Sequence, residues 1–108
     1  MFRRSRTTHP DVDVHELHDA VRRGATVVDV REPHEYAGGH VPGARLIPLA
    51  QIPNRVDELV GEPEVHVICA SGSRSEQATA FLNSQGVRAI NVKGGTMEWV
   101  RAGKPIER

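Results

Sequence analysis

The sequence predicts an α/β domain built on a parallel sheet, and two observations carry that prediction. Short β-branched runs recur along the chain: "TVVDV" at 26–30, "EVHVIC" at 64–69 and "VRAINV" at 87–92. Segments with helical spacing of apolar residues separate them. Strands that are apolar on both faces and alternate with helices belong to a parallel sheet covered on both sides.

The elements follow in order. In "VDVHELHDAVRRG", Val14, Leu17 and Val21 are spaced by three and four, with Asp13 as N-cap and Gly24 as a stop, so the segment reads as an amphipathic helix. "TVVDV" is the next strand. Pro33, Gly38, Gly39, Pro42 and Gly43 limit any helix after it to a turn or two around Glu35 and Tyr36. "ARLIPL" is short, and Pro48 places it at an edge or a strand end. From Leu49 to Val60, the residues Ile52, Val56, Leu59 and Val60 show helical spacing, and Pro53 fits a first turn. "EVHVIC" is a strand, and from Ser73 to Gln85 the residues Ala78, Phe81 and Leu82 share a helical face. "VRAINV" is a strand, and "GTMEWVRAG" is a short last helix ended by Gly103 and Pro105.

The chain has 108 residues, enough for one core. Fourteen Lys and Arg balance fourteen Asp and Glu, which argues against a broad face for nucleic acid or membrane. A single cysteine excludes an internal disulfide and suits a reducing compartment. "MFRRSRT" is basic but leads into no continuous apolar segment, so residues 1–9 are expected to be a flexible basic tail, residues 10–108 the domain, and the location cytoplasmic.

Ligands of open parallel sheets sit beyond the carboxyl ends of the strands. Cys69 falls there, between a strand and "ASGSRS". Small residues and Gly72 let successive N–H groups converge into a nest for an anion, at the start of a helix with unpaired amides. A thiolate is such an anion, and a nearby Arg lowers a thiol's pKa further, so Arg74 adds positive charge at the rim. Free cysteines at strand ends otherwise serve as packing. The loop, the arginine and the following helix together favour a reactive thiol, one that must be reachable from water.

"VVDVREPHEYAGGHVPGA", "CASGSRS" and "NVKGGTMEW" occur in the order and at the separations seen in rhodanese domains, and the chain resembles that family from about Val12 to Pro105. The resemblance implies a three-layer α/β fold with a central five-stranded parallel sheet flanked by helices, and a sulfurtransferase site without a cofactor. Cys69 matches the family's persulfide-forming cysteine, and Ala70, Ser71, Gly72, Ser73 and Arg74 match the loop around it. Asp29, Arg31 and Glu32 match an acidic and basic signature that is mostly structural, Asp29 and Arg31 supporting the site. Gly39 and His40 match a "GH" pair, with His40 read as a turn residue, and Trp99 is expected to pack the last helix. The implied activity moves a sulfane sulfur from thiosulfate or a persulfide to a thiol or cyanide through Cys69. With no second cation in the loop, a persulfide donor is at least as plausible as thiosulfate.

The alternative within this resemblance is a sulfur relay or binding module that serves a particular sulfur-accepting protein. A cysteine-type phosphatase or arsenate reductase fits less well. Such phosphatases use C-x5-R, whereas Arg74 makes C-x4-R here, and no general acid is evident. The histidines suggest no metal. His15 and His18 are read as a solvated helix face, His66 points away from Cys69 by strand alternation, His9 lies in the tail and His34 in a turn. No G-x-G-x-x-G follows the first strand, which removes a dinucleotide fingerprint.

Overall fold

The computed structural model describes residues 11–108, so the expected tail at 1–9 lies outside the described residues. Five strands, β1 (Asp11–Val12), β2 (Thr26–Asp29), β3 (Arg45–Leu46), β4 (Val65–Ile68) and β5 (Ala89–Val92), form one parallel sheet in the order β1-β5-β4-β2-β3. β4 is central, pairing Val65 with both Thr26 and Ala89, and all four of its residues are buried. Its unbroken apolar character, His66 apart, is what two covered faces demand.

Strand alternation divides the core. Val28, Val65, Val67 and Cys69 face a cluster completed by Ile52, Leu59, Ala78 and Leu82. Val27, Ile68 and Val92 face a second cluster with Leu17, Val41 and Trp99. The first is covered by α3 (Ser73–Ser84) and two 3-10 turns, the second by α1 (Val14–Arg22) and α4 (Gly95–Arg101). α2 (Pro33–Ala37) follows β2. These are the three layers expected, with the five parallel strands between them.

The helix termini read well from sequence. Asp13 caps α1 in a reciprocal box, its carboxylate accepting from the Glu16 amide and the Glu16 carboxylate accepting from the Asp13 amide, both at 2.9 Å. Trp99 is fully buried and donates its indole N–H to the Pro105 carbonyl at 2.7 Å.

Four expectations need correction. Leu49 to Val60 is not one helix but two 3-10 turns, Leu49–Asn54 and Val56–Glu58. Pro53 lies inside the first rather than in an opening α-turn, and its missing N–H and its ring exclude the bond to Leu49 that an α-helix would need. Val60 is exposed as a result. Phe81 is also exposed, because the buried stripe of α3 runs through Ser75, Ala78, Thr79 and Leu82 and leaves position 81 at its edge. His18 is not simply solvated, for its ring meets the edge of Trp99 at 5.5 Å. β1, finally, supplies the fifth strand that the resemblance implies and that no periodicity singled out.

This topology places the site. The chain steps outward from β2 to β3 and in the opposite sense from β4 to β5, so the connections part where β2 and β4 are neighbours. Asp29 ends β2 there, and Cys69 follows β4. A crevice beyond the carboxyl ends of the strands opens at such a switch point. Among the described residues no helix is long and apolar enough to cross a membrane.

One contact fixes the segment after β4. The amides of Thr96 and Met97, at the start of α4, donate to the carbonyls of Cys69 and Ala70 at 2.8 and 3.0 Å. Gly95 makes this approach possible: its φ is +62°, and a methyl group there would lie 2.6 Å from the Ala70 carbonyl carbon and 2.7 Å from the Cys69 oxygen. Gly95→Ala should therefore combine backbone strain with overlap against main chain and cost about 2–4 kcal/mol. Urea unfolding checks this; a loss below about 0.5 kcal/mol would show that α4 does not press on the loop.

Candidate active site

Cys69 follows β4 directly, and the chain turns at once. Gly72 sits at φ +119°, a left-handed conformation that L side chains resist, and serves as the N-cap of α3. The turn brings the Gly72 amide 3.1 Å from the Cys69 Sγ, to which it donates. Burial pushes the thiol pKa up. Hydrogen bonds from the Ser75 hydroxyl and from the amides of Ser75, Gly72 and Ser71 outweigh that, so the thiol is held below its ordinary value. The Ser75 hydroxyl also donates to the Gly72 carbonyl at 3.1 Å, and its single hydrogen serves one acceptor at a time. Ser75 was not singled out from sequence, although a serine three positions into a helix after a nucleophile is a visible signal.

The thiol is less open than the sequence reading required. Cys69 is 1% exposed, because amides close enough to stabilise a charged sulfur leave little room for water beside it. The loop's outer side is different: Ser71 and Ser73 are exposed, and Ala70, Gly72 and Arg74 are half-buried.

Arg74 does not hold its charge free over the sulfur. Its guanidinium grips the Glu35 carboxylate with two bonds, Nη1 to Oε1 at 2.8 Å and Nη2 to Oε2 at 2.9 Å. The pair joins α3 to α2 across 39 positions of sequence. Arg74, bonded through its side chain, is the main cause that lowers the Glu35 carboxyl to about 2; burial opposes it and the Glu32 amide assists. Sequence reasoning named Glu35 only as the centre of a short helix. The signal that finds it is topological, since α2 leaves β2 beside the strand that leads into the Cys69 loop.

Asp29 and Arg31 form a second, fully enclosed pair. Arg31 donates from Nε at 3.0 Å and from Nη2 at 2.7 Å to the two Asp29 oxygens, and Nη2 also reaches the Gly39 carbonyl at 2.9 Å. Asp29 is fully buried and Arg31 6% exposed. Their bonds run to each other and to the glycine turn. His40 stacks on Tyr36 at 3.6 Å and bonds the Tyr36 carbonyl through Nδ1 at 2.8 Å, and instead of lying in a turn its backbone pairs with Glu107 in an antiparallel bridge, both bonds at 2.9 Å. His66 lies on the face of β4 away from Cys69, and among the described residues no three of His, Cys, Asp and Glu gather as metal ligands.

Residues 13–102 match the family model described as the rhodanese-like domain. The chain belongs to the rhodanese-like family. A sulfurtransferase of Allochromatium vinosum is 43% identical over 81 residues, covering 74% of this chain and 76% of that protein. The thiosulfate sulfurtransferase GlpE of Actinobacillus pleuropneumoniae is 34% identical over 102 residues, covering 93% of this chain and 94% of that protein. The crystal structure of a rhodanese-related protein from Thermoplasma volcanium superposes with a TM-score of 0.86 at 30% identity, over 92% of this chain and 98% of that one. In some other relatives the matching rhodanese segment is a minority of a longer protein, 40% of one and 37% of another.

The Glu35–Arg74 pair gives this rhodanese domain a specific acid response. Glu35 titrates near 2 when folded against an ordinary 4.5, so its contribution is complete above about pH 4.5 and fades as pH falls towards 2. Both side chains are partly exposed, which reduces the bidentate pair to about 1 kcal/mol. Glu35→Gln should be less stable than the parent by that amount at neutral pH, with the difference vanishing towards pH 2. Urea unfolding across pH checks it, and a difference that stayed constant down to pH 2 would contradict the assignment.

Proposed function

We propose that this rhodanese domain is a sulfurtransferase in which Cys69 carries the sulfur as a persulfide. The observation that supports this most strongly is the Gly72 amide, which donates to the Cys69 sulfur at 3.1 Å in a turn where the amides of Ser71 and Ser75 also favour the thiolate against burial. The thiolate attacks the outer sulfur of the donor. The Sγ–S bond forms, the donor's S–S bond breaks, and its electron pair leaves with a thiolate, or with sulfite when thiosulfate is the donor. An acceptor thiolate or cyanide then attacks the outer sulfur, and the pair from the Sγ–S bond returns to Cys69. Both displacements pass negative charge through sulfur, which fixed main-chain dipoles stabilise without reorganising.

The donor follows from how the cations are engaged. Thiosulfate is a dianion and calls for free positive charge at the sulfur, whereas Arg74, the loop's own cation, is bound to Glu35 and Arg31 to Asp29, and Arg101 and Arg108 line the neighbouring groove rather than the loop. A persulfide, with less charge to balance, suits the loop better. The same engagement argues against phosphate-ester chemistry, which needs a guanidinium free to clasp an oxyanion. Because Cys69 is covered, the donor's terminal sulfur has to be slim, or the exposed serines of the loop have to give way as it enters.

Incubated with thiosulfate or a low-molecular-weight persulfide, the protein should gain the mass of one sulfur atom, and cyanide should remove it. Cys69→Ser should gain none while unfolding at a similar urea concentration. Mass spectrometry decides the matter: sulfur retained on the serine variant, or none on the parent, would overturn the reading.

A further inference from the structure

Arg74 is the cation of the Cys69 loop, and its partner is not free to move with it. The Glu35 Oε1 that accepts from Arg74 Nη1 at 2.8 Å also accepts from the Glu32 amide at 2.9 Å, at the N-terminal cap of α2. The carboxylate is thus anchored to its own helix and draws the guanidinium towards α2. Both side chains are partly exposed, Arg74 at 33% and Glu35 at 25%, so a ligand can reach this pair as it cannot reach the enclosed Asp29–Arg31 pair.

The position of that guanidinium matters to the sulfur. Hydrogen bonding to Glu35 is the first cause that raises the Arg74 pKa, burial opposes it, and the charges of Glu35, Cys69 and Asp29 add to it. Arg74 and the sulfur therefore lie within electrostatic reach of each other. Arg74 also leaves the chain one residue before Ser75, whose amide faces the sulfur.

Converging amides meet one negative charge at short range. A donor with a second charge needs a cation as well, since a charge brought to a covered site without a partner bears the full cost of leaving water. Two ligands can be told apart by denying one of them such a partner.

We propose that Glu35 is a specificity-determining residue for the charge of the sulfur donor: by holding Arg74 towards α2, it makes the loop favour donors with one negative charge over dianions. The assignment deepens the sulfurtransferase reading and rests on it for the transfer step, but not for binding.

Two donors of the same build test this. Thiosulfate is a dianion, and in methanethiosulfonate a methyl group replaces one charged oxygen. Cys69 takes the outer sulfur of either, releasing sulfite or methanesulfinate, and cyanide carries the sulfur off as thiocyanate. Glu35→Gln keeps an oxygen for the Glu32 amide while removing the charge that holds Arg74. It should raise the ratio of kcat/KM for thiosulfate to that for methanethiosulfonate roughly five-fold, through a lower KM for thiosulfate. Adding Arg74→Gln should cancel the gain. An unchanged ratio would overturn the assignment. So would a gain that survives the loss of Arg74, since Glu35 would then act by repelling the donor and not by occupying the arginine.

Binding is read separately on Cys69→Ser, which takes up no sulfur. Thiosulfate should shift the amide resonances of Ser71, Gly72 and Ser73, and bind roughly five-fold more tightly once Glu35→Gln is added. Equal affinities, or no binding to either protein, would overturn the role of Glu35 whatever the parent does with sulfur. Tighter binding alongside a parent whose Cys69 never gains sulfur would keep that role and sink the sulfurtransferase reading instead.

Discussion

Each peptide unit in the turn after β4 has two polar ends, and only the N–H end helps an anion. The carbonyls of Cys69 and Ala70 must therefore be held away from the sulfur. α4 does this by donating the amides of Thr96 and Met97 to them, over a glycine that allows two backbones to touch. With those carbonyls engaged, the amides of Ser71, Gly72 and Ser75 are left to face the thiol. The last helix is thus part of the nest although none of its side chains is needed there. The buried Trp99 that anchors α4 thereby bears on the surroundings of a residue thirty positions earlier.

Around this nest the full charges are arranged to cancel. One bidentate arginine–carboxylate pair is enclosed and ties the glycine turn to the end of β2. The other is half-exposed and ties the Cys69 loop to α2. Both give rigidity, and both remove a cation that would otherwise attract an inorganic dianion. Stabilisation of a charged Cys69 sulfur is left to dipoles at short range. Close donors also cover the sulfur, so charge stabilisation and access work against each other at the same atom.

Much of this was legible in the residues because it depends on local pattern. The apolar strands, the Asp13 cap and the position of Cys69 at a strand end all follow from periodicity and turn chemistry, and three motifs in register pointed to the family. What was not legible depends on distance in sequence. The Glu35–Arg74 pair exists only because β2 and β4 lie side by side, and the close approach of Gly95 only because α4 folds back over the loop. β1 is two residues long, too short for any alternation to show, and is held by its pairing with β5. Pro53 was visible, but apolar spacing across it suggested an α-helix, which its ring opposes by crowding the Leu49 carbonyl.

The thiol itself offers the most direct test. Its ionisation can be followed by thiolate absorbance, with Cys69→Ser as the blank. A midpoint clearly below the ordinary free-thiol value of about 8.5 is the expected result. A group that stays protonated to that value or beyond would mean that burial prevails over the amides, and that this loop does not hold a reactive sulfur.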